Sequence, residues 1–165
     1  MAKSNKGSAP SDDGIKVICR NRKATHDFKI LNQIECGLVL LGSEVKSLRG
    51  NLASIQDAFA RVERDEVWLY GADIPEYTEA NKLNHKPKRR RKLLLNKPEI
   101  RKLEIELKTR GKTLVPLELY FKKGKAKITI ALALGQKSHD KREAIRKRET
   151  QRDIVSFQAR RRRDK

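Results

Sequence analysis

The apolar positions fall into short alternating runs that one helical repeat interrupts. Lys127 to Leu134 places Ile128, Ile130, Leu132 and Leu134 at every second position, the period of a half-buried strand. Thr113 to Phe121 carries Leu114, Leu117, Leu119 and Phe121, and the basic turn Lys122-Lys123-Gly124-Lys125 joins the two. Phe59, Ala60 and Val62 precede the polar Arg64-Asp65-Glu66, and Val67 to Tyr70 follow it, a hairpin signature without the favoured Asn-Gly turn. Cys36 to Leu41 is an apolar run too short for a helix and reads as strand, with Gly37 and Gly42 as bends or bulges at its ends. Glu35 lies between Ile34 and Cys36, so its carboxylate needs a donor if that strand extends through it. The helical repeat comes after Asn96. Asn96 and Glu99 resemble a capping box, Pro98 sits in the first turn, and Ile100, Leu103 and Leu107 recur at helical spacing towards Gly111 as the stop. Five or six strands with one helix predict a mainly β fold, an antiparallel, partly closed barrel of the oligonucleotide-binding type; a simple sandwich is the alternative.

Two ends and one loop lack such a pattern. Residues 1–14 are Ser, Lys, Asn, Pro and Asp and read as a disordered leader; residues 15–135 hold the barrel pattern. Residues 136–165 carry twelve cations and five acids, with an apolar content too sparse for a core, and read as a basic tail that orders only on a partner. Glu76 to Lys92 reads as a mobile loop. It ends in five consecutive cations, Lys88 to Lys92, and Leu93-Leu94-Leu95 then anchors it to the body. Between Lys82 and Lys102 ten Lys or Arg stand against one acid, a density suited to phosphate. A solvated charged loop is the bland reading of the same run.

Charge sharpens this picture. The 165 residues carry a formal net charge of +19, which calls for an acidic partner, nucleic acid or an anionic membrane surface. No apolar run spans a bilayer, and residues 1–14 lack the apolar region of a secretory signal. Cys19 and Cys36 suit a reducing cytosol. No Cys-x-x-Cys pair occurs and His26, His85 and His139 are far apart, so neither metal nor cofactor is expected.

Four stretches now stand in series: Asn21 to Phe28 (NRKATHDF), Gly42 to Arg49 (GSEVKSLR), Arg91 to Asn96 (RKLLLN), and His139 to Arg142 (HDKR) after Gly135. In this order and spacing the chain resembles the bacterial SsrA-binding protein family, SmpB, over roughly Ile15 to Arg148. The resemblance implies a six-stranded oligonucleotide-binding barrel with flanking helices, and a non-enzymatic RNA-binding function. It implies binding to the tRNA-like domain of transfer-messenger RNA (tmRNA, SsrA) and delivery of that RNA to stalled ribosomes in trans-translation. The implied partners are tmRNA, the ribosome at its decoding centre and messenger channel, and the elongation factor that delivers aminoacylated tmRNA, all in the cytoplasm. By resemblance, Asn21, His26, Glu35, Lys92, Leu94 and Lys127 match the RNA-contacting face, and Gly135, His139, Asp140, Lys141 and Arg142 match the segment leading the tail into the ribosome. Thr25 departs from a commonly basic position, Phe28 from a common Tyr, and Thr150 from a Trp in some relatives.

The residue types fit such roles independently. An apolar knob such as Leu94 beside Lys92 is able to pack on an exposed base, and Glu35 is able to accept from a base amino group, as acids do with cytosine. Two other classes compete. His26-Asp27 and His139-Asp140 supply the acid–base pairs of a nuclease, without a visible third group. A basic ribosomal or architectural DNA-binding protein is the other alternative.

Overall fold

The computed structural model describes residues 14–78 and 84–136. The expectations for the leader, for His139, Asp140, Lys141, Arg142 and Thr150, and for the rest of the tail therefore lie outside the described residues. Within them the elements are β1 (Ile15–Arg20), α1 (Arg22–Asp27), β2 (Phe28–Leu38), α2 (Gly42–Arg49), β3 (Phe59–Glu63), β4 (Glu66–Tyr70), β5 (Arg91–Leu94), α3 (Lys97–Leu107), β6 (Lys112–Lys122) and β7 (Lys125–Gly135).

Among the described residues every strand pairing is antiparallel. Following hydrogen-bonded neighbours gives β6, β3, β4, β5, β2, β7 and β6 again, a ring of six strands, with β1 added along β6. The ring closes at a single β3–β6 partner pair, Ala60 opposite Leu114. β6 serves two partners on one edge. Leu114 faces β3, Glu118 to Lys122 face β1, and Pro116 sits between them beside an irregularity in the β6–β7 register. Proline has no N–H to give a ladder, so it belongs where a strand changes partner. Both tight hairpins have two central residues at positive φ: Arg64 (48°) with Asp65 (60°), and Lys123 (49°) with Gly124 (75°). That is the geometry whose twist matches the flanking strands.

Alternation decides the core. Val67, Leu69, Leu93, Leu114, Leu119, Ile128 and Ile130 point inward and are essentially inaccessible; Leu48 of α2 and Ile100 and Leu103 of α3 join them. α1 packs on the opposite face of the ribbon, where Ala131 and Ala133 of β7 are small enough to admit Ala24. Burial pushes the Cys36 thiol up to about 12 and the Cys19 thiol up to about 11, so neither is a reactive thiolate near neutrality.

The structure corrects several expectations. Asn21 to Asp27 is a helix start: Asn21 caps α1 by accepting from Ala24 N–H at 3.0 Å, and its side chain is buried. The strand through Cys36 stops at Leu38, and Gly42 opens a helix instead of marking a bulge. The irregularity in β2 lies between Ile30 and Asn32, which turns Leu31 outward. α3 starts at the expected cap, with Asn96 N–H donating to Glu99 at 2.9 Å, but it ends at Leu107, before Gly111.

The largest correction concerns the basic loop. β5 begins inside the cationic run, and Arg91 faces inward with no accessible surface. Its Nε donates to Glu44 at 2.9 Å, Nη1 to the carbonyls of Ala72 (2.5 Å) and Arg89 (3.1 Å), and Nη2 to that of Pro87 (2.7 Å). Glu44, equally buried on α2, also takes Arg89 Nε at 2.8 Å, Arg89 Nη2 at 2.5 Å and Leu41 N–H at 2.7 Å. Burial alone would raise its pKa; the donors from Arg89, Leu41 and Arg91 outweigh that and hold it below the usual carboxylate range. Residues 79–83 of that loop lie outside the described residues; from Asn84 onward it is held by buried His85, which lies 2.9 Å from Ser43 Oγ and 3.0 Å from the Ile74 carbonyl.

Glu44→Ala would leave a buried guanidinium without its counter-charge, which costs about 3–5 kcal/mol. Urea unfolding should show that loss. Replacing both partners, Glu44→Met with Arg91→Met, should lose less, because an apolar pair of similar volume has no charge to compensate.

Candidate nucleic-acid interface

In an antiparallel pair, residues directly opposite share a face. Gly37 of β2 faces Leu94 of β5 on one side and Lys127 of β7 on the other. Lys127 in turn faces Tyr120 of β6, and Tyr120 faces Val17 of β1. Leu94, Gly37, Lys127, Tyr120 and Val17 thus form one outward row across five strands. Cys36 and Leu93, one position off, point into the core. Gly37 gives the row its shape: a Cβ there would stand 3.4 Å from Leu94 Cβ and Cδ1. Leu94 is 52% exposed, a large apolar side chain resting in water on a glycine.

Glu35 lies one outward step along β2. Tyr120 Oη donates to its Oε2 at 2.5 Å, Lys122 Nζ lies 3.1 Å from Oε2, and Lys127 Nζ 3.2 Å from Oε1. The Tyr120 hydrogen bond first, then those of Lys122 and Lys127, lower its pKa to about 2 from the usual 4.5. Burial pushes the Tyr120 phenol up, and the Glu35 hydrogen bond adds to that. The result is a fixed anion, still accessible, within a cationic surround: an acceptor whose orientation is set before anything binds. Beside it a cleft of about 430 Å³ is lined by Leu38, Leu40, Val45, Leu94 and Phe121, with Lys125 and Lys127 on its rim. Val39 and Leu41, on the link between β2 and α2, are also exposed.

Of the residues matched to an RNA face by resemblance, the structure brings Glu35, Leu94 and Lys127 together. Lys92 shares the outward side of β5 with Leu94, but its Nζ is engaged by Glu66. Asn21 is buried. Its Oδ1 caps α1 and its Nδ2 donates to the carbonyls of Ile55 (3.1 Å) and Gln56 (3.3 Å), so its side chain ties α1 to the segment before β3. His26 is exposed at the end of α1, with Nδ1 3.0 Å from Asp27 Oδ1. It lies at the far end of the β2–β7 ribbon from Leu94. Phe28 faces Gly135 there, nine residues or about 30 Å from the Gly37–Lys127 pair. The Asp27 carbonyl accepts from Gln136 N–H at 3.2 Å, so His26 stands where the chain leaves β7 for the tail. Of the cationic run, Arg89 and Arg91 are committed to Glu44, and Arg90 lies over the Trp68 ring.

Tyr120 and Lys122 were missed as site residues. The signal was present: Leu117, Leu119 and Phe121 are the apolar set of β6, and Tyr120 falls out of phase with Leu119 and Phe121, as an outward position must.

The family model described as "SmpB protein" matches residues 18–160. The SsrA-binding protein of Parafrankia sp. (strain EAN1pec) is 49% identical over 151 residues, 92% of this chain and 96% of that one. The SsrA-binding protein of Saccharopolyspora erythraea is 50% identical over 154 residues, covering 93% and 98%. Among solved structures, a chain from the one described as "tmRNA-SmpB: a journey to the center of the bacterial ribosome" is 42% identical, with a TM-score of 0.64, over 78% of this chain and 94% of that one. With its closed antiparallel barrel and a match spanning nearly all of that barrel, the chain belongs to the SmpB family of SsrA-binding proteins.

Proposed function

We propose that this protein is a non-enzymatic adaptor that binds the tRNA-like domain of tmRNA and delivers it to stalled ribosomes for trans-translation. The observation that carries the reading is the outward row in which a preoriented, ionised Glu35 lies beside an exposed Leu94 and the cation Lys127. Duplex binding needs only cations. A fixed acceptor and an apolar knob are instead suited to an unpaired base, with one edge to bond and one face to cover. The relatives are named for binding SsrA, and the structural neighbour is named for tmRNA and the ribosome.

The molecule has two functional ends in this reading. Glu35, Leu94 and Lys127 recognise tmRNA, with Lys92 at the border of that surface. Asn21 acts through α1, which it caps. His26, Gly135 and the segment His139, Asp140, Lys141 and Arg142 serve the ribosomal end, where residues 136–165 enter the vacant messenger channel. Residues 15–135 form the RNA-binding domain and residues 1–14 a leader. The protein works in the cytoplasm, with the elongation factor that delivers aminoacylated tmRNA as a further partner.

Glu35→Ala removes an acceptor from between two lysines, so specific and non-specific binding should move apart. Affinity for the tRNA-like domain should fall by about 1–3 kcal/mol. Affinity for unrelated duplex RNA at the same salt should hold or rise, because local positive charge increases. Leu94→Ala should weaken the specific complex without that rise. Titrations against both RNAs, with circular dichroism on the same preparations, check this; unchanged specific affinity in both variants would reject the site.

Tyr120→Phe removes the hydrogen bond that does most to hold Glu35 ionised, so its titration should move up from about 2 towards 4.5, as followed by the carboxyl carbon in NMR. The folded pKa is depressed, so the donors' contribution to stability is complete above pH 4.5 and is lost as pH falls towards 2.

A chain ending at Gln136 keeps the contact to the Asp27 carbonyl and every described strand. It should fold and retain most affinity for the tRNA-like domain, yet fail to support peptide tagging on stalled ribosomes. Normal tagging by that chain would reject the assignment of the tail.

A further inference from the structure

The outward side of β3 and β4 is unlike the rest of the barrel surface. The register places Phe59 opposite Tyr70, Arg61 opposite Trp68 and Glu63 opposite Glu66, while Ala60, Val67 and Leu69 point inward. Trp68 also faces Lys92 of β5. Three of the eight aromatic side chains, including the sole tryptophan, therefore share one half-exposed face. They are arranged as layers. Phe59 and Tyr70 stack with ring centroids 5.5 Å apart and planes 13° from parallel. The Arg61 guanidinium lies 5.1 Å from the Phe59 centroid, and that of Arg90 lies 4.8 Å from the Trp68 centroid. The acids cluster at the turn end and are already engaged: Glu63 accepts from Tyr70 Oη at 2.8 Å, and Glu66 holds Lys92.

We infer that this face is a second RNA-binding surface, a stacking platform for unpaired nucleobases, separate from the Glu35 surface. Planar guanidiniums layered on aromatic rings offer the two kinds of flat surface on which bases stack, and they carry the charge that meets the backbone phosphates. Protein-docking patches also favour Trp, Tyr and Arg; here the guanidiniums of Arg61 and Arg90 lie over the rings themselves, in a chain of +19, which favours a partner that is both flat and anionic. Base stacking is indifferent to sequence, so the platform takes any single strand that reaches it. The inference rests on the adaptor reading only in taking RNA as the partner. The rings lie on β3 and β4, which contribute nothing to the row from Leu94 to Val17; Lys92, at the border of that row, is the neighbour of Trp68 on β5.

Trp68 reports its own occupancy. The full-length chain is titrated with a single-stranded adenosine oligonucleotide and with a duplex of matched length and salt, and tryptophan fluorescence is read. The single strand should quench and the duplex should not; equal responses to both, or none to either, would overturn the inference. Arg61→Gln, which keeps the reporter, should weaken the quenching titration. Trp68→Ala, read with labelled oligonucleotide, should lose affinity on the order of 10-fold; unaltered affinity in both variants would overturn it. Glu35→Ala should quench as the unaltered chain does, and loss of quenching there would show one surface instead of two. Binding of the tRNA-like domain, measured separately, tests the adaptor reading, so either may fail while the other stands.

Discussion

A carboxylate with no access to water holds this molecule in register. Glu44 gathers two guanidiniums and a backbone N–H on its two oxygens, and the second guanidinium, Arg91, is itself buried. Buried charge is unfavourable unless each charge has a partner and each remaining donor an acceptor. Arg91 meets that condition through the carbonyls of Ala72, Pro87 and Arg89, so the path of the chain on both sides of β5 is dictated by one side chain. Once β5 is placed, period two does the rest. Leu93 goes in with Arg91, Lys92 and Leu94 go out, and Leu94 lands on Gly37.

The barrel was largely legible in the sequence, because strands of period two with tight turns are a local signal. β3, β4, β6 and β7 are close to where alternation places them. The start of α3 was legible because a capping pair and a proline are local too. What escaped depends on distant partners. Nothing local distinguishes Arg91 from the four cations beside it; its burial follows from Glu44, 47 positions earlier. α2 carries its acid as an internal ligand, so GSEVKSLR reads as an ordinary polar stretch. Asn21, matched to the RNA face by resemblance, is buried as a cap and as a tie to partners more than thirty positions away. The site was half legible: Glu35 needed a donor, as an acid within a strand must, but Tyr120 and Lys122 lie some 85 positions away and only the sheet brings them there.

The surface solves a problem that excess charge creates. A chain of +19 attracts any polyanion, and attraction without discrimination is of little use to an adaptor. Two features lower the indiscriminate part. Several cations are tied to acids, Arg89 and Arg91 to Glu44, Lys92 to Glu66, Lys127 and Lys122 to Glu35. And Glu35, an anion on the face proposed to meet RNA, repels phosphate while accepting from a base, so selectivity arises partly from repulsion.

The pairing of β1 with β6 bears on how the chain reaches this state. Ile15 lies opposite Lys122, so the first strand to be synthesised waits for the sixth before it has a neighbour. The ring itself closes between Ala60 and Leu114, another long excursion. Contacts so remote in sequence require a large loss of chain entropy before they return any stabilisation, which slows folding relative to a helical protein of the same size. The β6–β7 hairpin, closed by two residues, is the one long ladder that forms without such a delay. It offers β2 one edge and β1 the other, and on this topology it is the template on which the earlier half of the chain is assembled.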